Sequence, residues 1–313
     1  MQIVILDAKT LGDDINFSAL EPLGNLTVYP STKQDEIPQR IKDADVVILN
    51  KLKMNEQSLS GAHKLKLICV TATGYDNIDT EYARKNNIAV TNVRGYSTDS
   101  VAQLTVLLAM EGVMKISAFH RFVEDGSYTM SGVANKLSPC FYEVSGKTWG
   151  IVGMGNIGKK VKTVAESLGA NVICTKRKKE DGLDIVDLPY LMKNSDIISV
   201  HLPLSDETRG IIDKEMIESM KDGAVFVNVA RGLVADEKAL ADMAKRGKII
   251  LCSDVYSVEP MPKDHPFYDI RNLDNVILTP HMAWGAYEAR MRCISEIAEN
   301  IKAFLNGDMR NRV

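Results

Sequence analysis

Residues 148–161 read TWGIVGMGNIGKKV, an apolar run followed by three glycines and the start of a helical pattern. The glycines, Gly153, Gly155 and Gly158, form the pattern G-x-G-x-x-G, which indicates a dinucleotide-binding turn only where a strand precedes it and a helix follows. Apolar residues then recur every three or four positions over 161–168, as on one face of a helix. The segment therefore predicts a strand, a phosphate-binding loop and a helix.

Each position of this loop has a separate physical role. Gly153 permits the tight turn, Gly155 lets the backbone approach a pyrophosphate, and Gly158 allows the helix to pack closely on the strand. Asn156 and Ile157 open the helix, whose unpaired N–H groups and positive dipole face the phosphates. We expect these five residues to bind a dinucleotide; the alternative is a turn that holds glycines for steric reasons only.

Short apolar runs alternate with helix-length segments on both sides of this loop. Runs that are apolar throughout and separated by helical lengths predict parallel sheets covered by helices. The runs are residues 3–6, 46–49, 67–70 and 88–93, then 149–153, NVIC, DIISVHL, AVFVNVA, IILCSDV and VILTP. We predict an α/β fold with two doubly wound, Rossmann-like domains, a flavodoxin-like substrate domain and a dinucleotide-binding domain.

Two long helices divide these series. Over residues 98–114 apolar side chains recur with the spacing expected of a buried helix. Over residues 287–305 they recur every three or four positions. The second helix is expected to return to the first series. We therefore predict a discontinuous substrate-binding domain over 1–97 and 287–313, and a dinucleotide-binding domain over 98–286.

Composition narrows the classes of function. The chain has 313 residues with 45% apolar and 25% charged residues, typical of a globular protein, and its net charge of −3 argues against nucleic acid as a partner. Its longest apolar runs fall far short of the roughly 18 residues that cross a bilayer, so no membrane partner is expected. The N-terminus, MQIVILDAKT, has no basic leader region, which predicts a cytoplasmic protein. Five widely separated cysteines imply neither a disulfide framework nor a metal site.

A basic cluster follows the second strand of the dinucleotide-binding series. An NAD enzyme places an acid about 20 residues beyond the loop to bind the adenosine ribose. Here Lys176 and Arg177, followed by two more lysines, occupy that position without a carboxylate among them. Because arginine can hold a 2′-phosphate with two hydrogen bonds, we favour NADP and keep NAD as possible. The alternative is a solvated basic turn.

Several motifs together resemble one family. SVHLPLSDETRGII (199–212), NVARGLVADEKAL (228–240), DVYSVEPMP (254–262) and LTPHMAW (278–284) join the glycine loop in order along the chain. This combination resembles the D-isomer-specific 2-hydroxyacid dehydrogenases over nearly the whole chain. LDAKTLG, TATGYDNID, GYSTDSVAQLT and the His281-x-x-Trp284 pair are most similar to its glycerate dehydrogenase, or hydroxypyruvate reductase, branch.

The resemblance implies three catalytic residues. Arg231 would bind the substrate carboxylate, since a guanidinium fork matches a planar carboxylate and orients the neighbouring carbonyl. Glu259 and His281 would form the proton-transfer pair, in which the imidazole protonates the carbonyl oxygen as hydride arrives. Taken singly, each has a structural alternative: a surface ion-pairing arginine, a loop acid and a core histidine.

The same resemblance implies further contacts. His201, Pro203, Thr208, Ala230 and Asp254 match positions that line the cofactor, although Asp254 is equally suited to capping local backbone. In the first domain, the backbone N–H groups of Thr73, Gly74 and Tyr75 would help hold the substrate carboxylate, as a glycine-containing loop at a strand end can form an anion nest. The other histidines, His63, His120 and His265, are expected at the surface.

The implied reaction is NAD(P)H-dependent reduction of hydroxypyruvate or glyoxylate to the D-2-hydroxy acid, D-glycerate or glycolate. One alternative keeps the chemistry on a bulkier branched or aromatic 2-oxo acid, with a pocket set near 139–142 or Met54. A non-enzymatic alternative is a dinucleotide-sensing binding protein that shares the fold. Kinship also implies a homodimer joined through the cofactor domain, with the apolar helix around Val101 to Met110 as its contact.

Overall fold

The computed structural model describes all 313 residues and divides into two compact units. Unit 1 comprises Met1–Ser97 and Trp284–Val313, and unit 2 comprises Thr98–Ala283. That unit 1 binds substrate and unit 2 a dinucleotide stays a prediction at this point, since the division itself is purely geometric.

Unit 1 is built on one parallel sheet with the strand order β2-β1-β3-β4-β5, the order of flavodoxin-like folds. Its strands are β1 (Gln2–Ile5), β2 (Asn25–Val28), β3 (Val46–Leu49), β4 (Leu67–Val70) and β5 (Ala89–Thr91). Its first helices are α1 (Ile37–Ile41), α2 (Glu56–Leu59) and α3 (Thr80–Lys85), with 3-10 turns at Ala8–Leu11, Glu21–Leu23 and Gln34–Glu36.

Unit 2 is built on a second parallel sheet, ordered β11-β10-β9-β8-β6-β7. Its strands are β6 (Thr148–Val152), β7 (Asn171–Thr175), β8 (Ile197–Val200), β9 (Ala224–Asn228), β10 (Ile249–Ser253) and β11 (Val276–Leu278). Its helices are α4 (Thr98–Met114), α5 (Ile116–Glu124), α6 (Ser127–Met130), α7 (Asn156–Ser167), α8 (Leu188–Asn194), α9 (Lys214–Glu218) and α10 (Glu237–Lys245), with a 3-10 turn at Gly232–Val234. The chain then returns to unit 1 with α11 (Tyr287–Leu305).

The sheet of unit 2 lacks one full strand of the Rossmann order. In that order a third strand lies outside the second. Here only a single parallel bridge, between Cys174 and Ile185, occupies the edge beyond β7. Unit 2 is therefore a Rossmann sheet whose third strand is reduced to a bridge, and the prediction of two parallel-sheet domains is confirmed.

Helices cover both faces of the unit 1 sheet. Alternate residues of β3 point to opposite faces, so Val46 and Ile48 pack against α11 while Val47 and Leu49 pack against α1 and α2. All four are completely buried. This explains why the strand is apolar throughout instead of alternating.

The helix around Val101 to Met110 is buried on one side only. In α4 the residues Val101, Leu104 and Leu108 are buried within unit 2, where the helix packs on α7, β9 and β10. Leu107 of α4 is 60% exposed, and further exposed apolar side chains follow at Ile116, Val123, Met130, Val133 and Leu137. The proposed contact of this helix with a second copy stays a prediction, since α4 buries one set of apolar side chains in unit 2 and leaves Leu107 exposed.

No single helix in the chain is both long enough and apolar enough to cross a bilayer; α4 and α5 meet those criteria only when combined across a 64° bend.

Candidate active site

Predicted site residues of unit 2 follow five of its strands, at the carboxyl ends of the sheet. Gly153 follows β6, His201 follows β8, Arg231 follows β9, Asp254 follows β10 and His281 follows β11. Parallel strands end at the same edge, and open α/β sheets bind ligands there. Residues from five separate segments therefore gather on one side of unit 2.

Glu259 and His281 form a close pair at this edge. The Nδ1 of His281 lies 2.6 Å from the Oε2 of Glu259. The other carboxylate oxygen, Oε1, accepts the backbone N–H of Tyr256 at 3.1 Å. Because Nδ1 donates to the carboxylate, Nε2 is the ring nitrogen left to face a reactant.

Asp254 holds the loop that carries His281. Its side chain is completely buried, and its carboxylate accepts the Thr279 hydroxyl at 2.6 Å and the N–H groups of Met282 and Ala283 at 2.8 Å each. His281 itself has a positive φ of 53°, which a non-glycine residue adopts only where its surroundings fix it. The capping role that we left open for Asp254 is thus the one its contacts display, while its contact with a cofactor stays a prediction.

Tyr256 packs among the acids of this region. Its hydroxyl donates to the carbonyl of Thr279 at 2.9 Å. Burial, followed by the charges of Asp254, Glu259 and Glu237, raises the pKa of Tyr256 to about 12. The phenol therefore stays a hydrogen-bond donor at any working pH.

Arg231 lies on a loop whose residues hydrogen-bond to one another. The side-chain amide of Asn228 donates to the carbonyl of Arg231 at 3.0 Å and its amide oxygen accepts the N–H of Ala230 at 3.0 Å. The guanidinium Nη1 donates to the carbonyl of Ala230 at 2.8 Å, and the side chain forms no ion pair. An arginine whose charge has no carboxylate partner in the protein is available for one on a ligand.

The loops of Arg231 and Glu259 touch through Gly232. A Cβ atom at Gly232 would collide with the backbone of Tyr256 and Ser257, so only glycine allows this approach. The structure therefore brings the Arg231 loop against the segment that leads to Glu259. All three predicted catalytic residues belong to connected loops of unit 2.

The glycine loop has the geometry expected for phosphate binding. Gly153 has a φ of +99°, and a Cβ there would lie 3.0 Å from the backbone of His201. A Cβ at Gly158 would collide with the carbonyl of Gly153, which explains the close approach of α7. Gly155 is the N-cap residue of α7, so no side chain caps the helix start at Asn156 and Ile157. No protein atom lies within 4 Å of the position that a Cβ of Gly155 would take. The N–H groups of the helix start are thus open to an anion.

His201 is fixed beside this loop. Its Nε2 lies 3.1 Å from the hydroxyl of Ser199, which also accepts the indole N–H of Trp149 at 3.0 Å. Its Nδ1 is buried and has no hydrogen-bond partner in the protein. Burial lowers the pKa of His201 to about 3. An unpartnered buried nitrogen next to a phosphate-type loop fits a residue whose partner is a bound ligand.

The segment after His201 is held by Thr208. Its hydroxyl donates to the carbonyl of Pro203 at 2.6 Å and accepts the N–H of Ser205 at 2.8 Å. Thr208 and Ala230 are both buried. The structure thus gives Thr208 a loop-closing role, and the predicted cofactor contacts of Pro203, Thr208 and Ala230 stay predictions.

The basic cluster pairs with two acids, one directly after it in the sequence and one 30 positions from Arg177. Lys176 pairs with Glu180, and the Nζ of Lys159 lies 2.5 Å from the same carboxylate. These two hydrogen bonds lower the pKa of Glu180 to about 2. Arg177 pairs with Glu207, although both side chains are mostly exposed. The cluster is therefore partly neutralised, by one acid nearby and one from the loop after β8.

His265 is not at the surface as predicted. Only 5% of it is exposed, and its Nε2 lies 2.9 Å from the Oε2 of Glu237. The acid comes from the start of α10, 28 residues earlier in the chain, so neither local polarity nor spacing could reveal the pair. His63 and His120 are exposed.

In unit 1 the loop 73–75 follows β4 at the edge where its parallel strands end. The Thr73 hydroxyl donates to the carbonyl of Val93 at 2.9 Å, and the Asn92 side chain donates to the carbonyl of Thr73 at 2.7 Å. The backbone N–H groups of Thr73, Gly74 and Tyr75 donate to no other protein group. They form a set of free donors of the kind that can bind an anion.

Comparison with known proteins agrees with this geometry. Residues 106–283 match the family described as D-isomer specific 2-hydroxyacid dehydrogenase, NAD binding domain. The chain is 34% identical to a hydroxypyruvate reductase of Blautia hydrogenotrophica, covering 100% of this chain and 99% of that one. It is 35% identical to a glycerate dehydrogenase of Methylorubrum extorquens, covering 91% and 90%.

A solved structure supports the same relationship. An acyclic imino acid reductase in complex with NADPH and D-Arg superposes with a TM-score of 0.87 at 29% identity, over 100% of both chains. The resemblance inferred from the motifs is thereby confirmed for fold and family. The chain belongs to the D-isomer-specific 2-hydroxyacid dehydrogenases and is an oxidoreductase of that family.

Proposed function

We propose that this enzyme reduces a small 2-oxo acid, hydroxypyruvate or glyoxylate, to the corresponding D-2-hydroxy acid. The observation that carries the proposal is the 2.6 Å contact between Glu259 and His281, on loops that also hold an arginine without an ion-pair partner. An acid-bound imidazole and a free guanidinium are what reduction of a carbonyl beside a carboxylate requires. The names of the two sequence relatives above support the choice of a small substrate.

Each of the three catalytic residues has a separate role in the proposed reaction. Arg231 binds the carboxylate of the oxo acid and orients the neighbouring carbonyl. His281 donates the proton from Nε2 to the carbonyl oxygen as negative charge develops there, and accepts it in the reverse direction. Glu259 fixes the ring through Nδ1 and stabilises the protonated imidazole. We propose that the N–H groups of Thr73, Gly74 and Tyr75 also take part in binding the substrate carboxylate.

The residues of unit 2 fit a nicotinamide dinucleotide. When bound, its reduced form supplies the hydride. Gly153, Gly155 and Gly158, with Asn156 and Ile157 at the start of α7, would hold the pyrophosphate. His201, Pro203, Thr208, Ala230 and Asp254 are proposed to line the rest of the cofactor.

We propose NADP as the preferred form, with NAD as the alternative. Lys176 and Arg177 lie where the family's ribose-binding acid would stand, which supports recognition of a 2′-phosphate. Glu180 and Glu207 neutralise both cations in the free protein. A 2′-phosphate would have to displace Glu207 from Arg177, which weakens but does not reverse the preference.

A homodimer joined through the cofactor unit and a cytoplasmic location complete the proposal. The apolar helix around Val101 to Met110, on which Leu107 is exposed, is the proposed contact, and further exposed apolar side chains follow it over 116–137. A bulkier 2-oxo acid remains the alternative substrate. The dinucleotide-sensing alternative has no support in the reductase and dehydrogenase names of the relatives.

The test is steady-state oxidation of NADPH and NADH against a panel of 2-oxo acids, from glyoxylate and hydroxypyruvate to branched and aromatic members. We expect the highest kcat/KM with a small acid and with NADPH. Highest activity on a branched or aromatic acid would replace the substrate, and preference for NADH would replace the cofactor. Dinucleotide binding without turnover of any acid would refute the proposed reaction.

A further inference from the structure

A second acid–imidazole pair lies buried in unit 2. Glu237 opens α10 and is only 9% exposed, and its Oε2 lies 2.9 Å from the Nε2 of His265. The Nδ1 of His265 accepts the backbone N–H of Phe267 at 3.1 Å. Because Nδ1 is an acceptor, the proton of the other bond resides on Nε2, and His265 donates to Glu237.

The other oxygen of Glu237 reaches the segment that leads to the catalytic acid. Its Oε1 accepts the N–H of Ser257 at 2.9 Å, while the preceding N–H, that of Tyr256, donates to Glu259 at 3.1 Å. Two successive N–H groups thus bind two different carboxylates. The orientation of this backbone fixes where Glu259 points.

The same oxygen also borders the substrate-binding arginine. Gly232 follows Arg231 directly, and a Cβ there would lie 2.6 Å from the Oε1 of Glu237 besides colliding with the backbone of Ser257. One buried carboxylate therefore contacts both loops that carry charged catalytic residues. Loss of its position would change both loops together.

Stability alone does not account for this arrangement. A buried carboxylate is costly unless it is fully hydrogen-bonded, and an apolar side chain of similar volume often serves stability as well or better. Tyr256 packs edge to face on His265 at 5.7 Å, and the charges of Asp254, Glu259 and Glu237 all act on this phenol. The contact with His265 is the one ion pair that Glu237 forms.

We propose that Glu237 and His265 are a positioning pair, which holds the Arg231 loop against the 256–259 segment so that Arg231 and Glu259 are both aligned for catalysis. This inference rests on the proposed function for its catalytic readout. It assigns no contact between the pair and substrate or cofactor.

The decisive variant is Glu237→Gln. The glutamine oxygen can still accept the N–H of Ser257, but its amide then faces the N–H of His265, donor against donor. His265 cannot relieve the conflict by moving its proton, because Nδ1 already accepts from Phe267. In the double variant with His265→Gln, the amide oxygen at position 265 can accept from the new amide, which restores this bond, although the N–H of Phe267 loses the acceptor that Nδ1 supplied.

The matched control is Ser195→Ala. Ser195 is completely buried in unit 2 and donates to the carbonyl of Leu191 at 2.7 Å, at the end of α8 and outside the catalytic loops. Loss of the Ser195 hydroxyl should lower thermal stability without changing the contact between Glu237 and His265. It therefore separates a general loss of stability from loss of alignment.

For Glu237→Gln we expect kcat to fall about tenfold or more and the KM for the oxo acid to rise, with dinucleotide affinity unchanged. The pH at which kcat falls should shift as well, since Glu259 is no longer fixed against His281. Amide exchange at Tyr256 and Ser257 should accelerate. His265→Gln in the same chain should recover much of the lost kcat, and Ser195→Ala should keep wild-type kcat.

The inference is overturned if Glu237→Gln retains wild-type kcat, KM and pH profile, or if its losses equal those of Ser195→Ala at matched stability. Should the wild-type enzyme turn over no 2-oxo acid, the proposed function fails while the amide-exchange comparison still decides the positioning role. Faster exchange at Tyr256 and Ser257 in Glu237→Gln than in Ser195→Ala supports that role. Equal exchange refutes it.

Discussion

Acid should destabilise unit 2 through His201 in particular. Burial lowers the pKa of this imidazole from 6.5 to about 3, whereas the unfolded chain restores the ordinary value. Between those two values the unfolded state holds a proton that the folded state lacks, so the free energy of unfolding decreases as pH falls from about 6.5 toward about 3. Above about pH 6.5 both states hold the imidazole uncharged and the residue contributes no pH dependence.

The size of the effect follows from the two pKa values. The free energy of unfolding changes by about 1.4 kcal/mol per pH unit inside the window, and the contribution at pH 5 reaches about 2 kcal/mol. A His201→Gln variant has no group that titrates there. Between about pH 7.5 and about pH 5, wild-type unit 2 should therefore lose about 2 kcal/mol more than the variant does.

Trp149 provides the readout. It is completely buried beside His201, through the Ser199 hydroxyl that both rings contact, and the chain has one other tryptophan, Trp284 in unit 1. In a Trp284→Phe background, denaturant titrations followed by tryptophan fluorescence report unit 2 alone. A His120→Gln variant, altered at an exposed histidine, is the control and should follow the wild-type pH dependence.

Parallel stability curves for wild type and His201→Gln would refute the reasoning. They would mean that folded His201 takes up a proton as readily as an unfolded one, and that its unpartnered Nδ1 is reached by water. The dinucleotide-facing role argued from that buried nitrogen would then lose its basis.

Three further substitutions test the site. His281→Ala should lower kcat by about a hundredfold or more with dinucleotide affinity largely kept, and near-normal turnover would remove it from the mechanism. Arg177→Ala should weaken NADPH binding far more than NADH binding, as measured by fluorescence titration, whereas equal losses would indicate a mere surface charge. Asp254→Asn places an amide against the N–H groups of the His281 loop, at a cost of about 1–3 kcal/mol in stability, and should reduce kcat. Unchanged NADPH affinity in Asp254→Asn would mean that Asp254 only holds the His281 loop in place. A large loss of affinity would support a contact between Asp254 and the cofactor.

Much of the fold could be predicted because buried parallel strands appear in the sequence as uninterrupted apolar runs. The runs at 46–49 and 67–70 coincide with β3 and β4, and the periodic segment at 98–114 coincides with α4. Strand β2 was missed because it lies at the sheet edge, where Asn25, Thr27 and Val28 are exposed and leave no apolar run. Burial, and not strand formation itself, produces the signal.

The residues of the candidate site also differ in how well the sequence predicts them. Glu259 and His281 were predicted because ordered motifs carried them, and the structure places them in contact. The partners Glu180 and Glu207, and the burial of His265 against Glu237, were not predicted. Glu207 and Glu237 lie 30 and 28 positions from the residues they bind, so only the folded sheet brings them together.

Three acids of unit 2 share a mode of action that affects how variants should combine. Asp254 binds N–H groups of the His281 loop, Glu237 binds that of Ser257, and Glu259 binds that of Tyr256. Asp254 and Glu237 therefore fix backbone that follows another strand, whereas Glu259 fixes backbone of its own segment and contacts the His281 ring. Residues that act on connected loops have effects that do not add. Once Asp254→Asn has loosened the His281 loop, Glu237→Gln should cost less in kcat than it does alone, because the alignment that it disturbs is already lost.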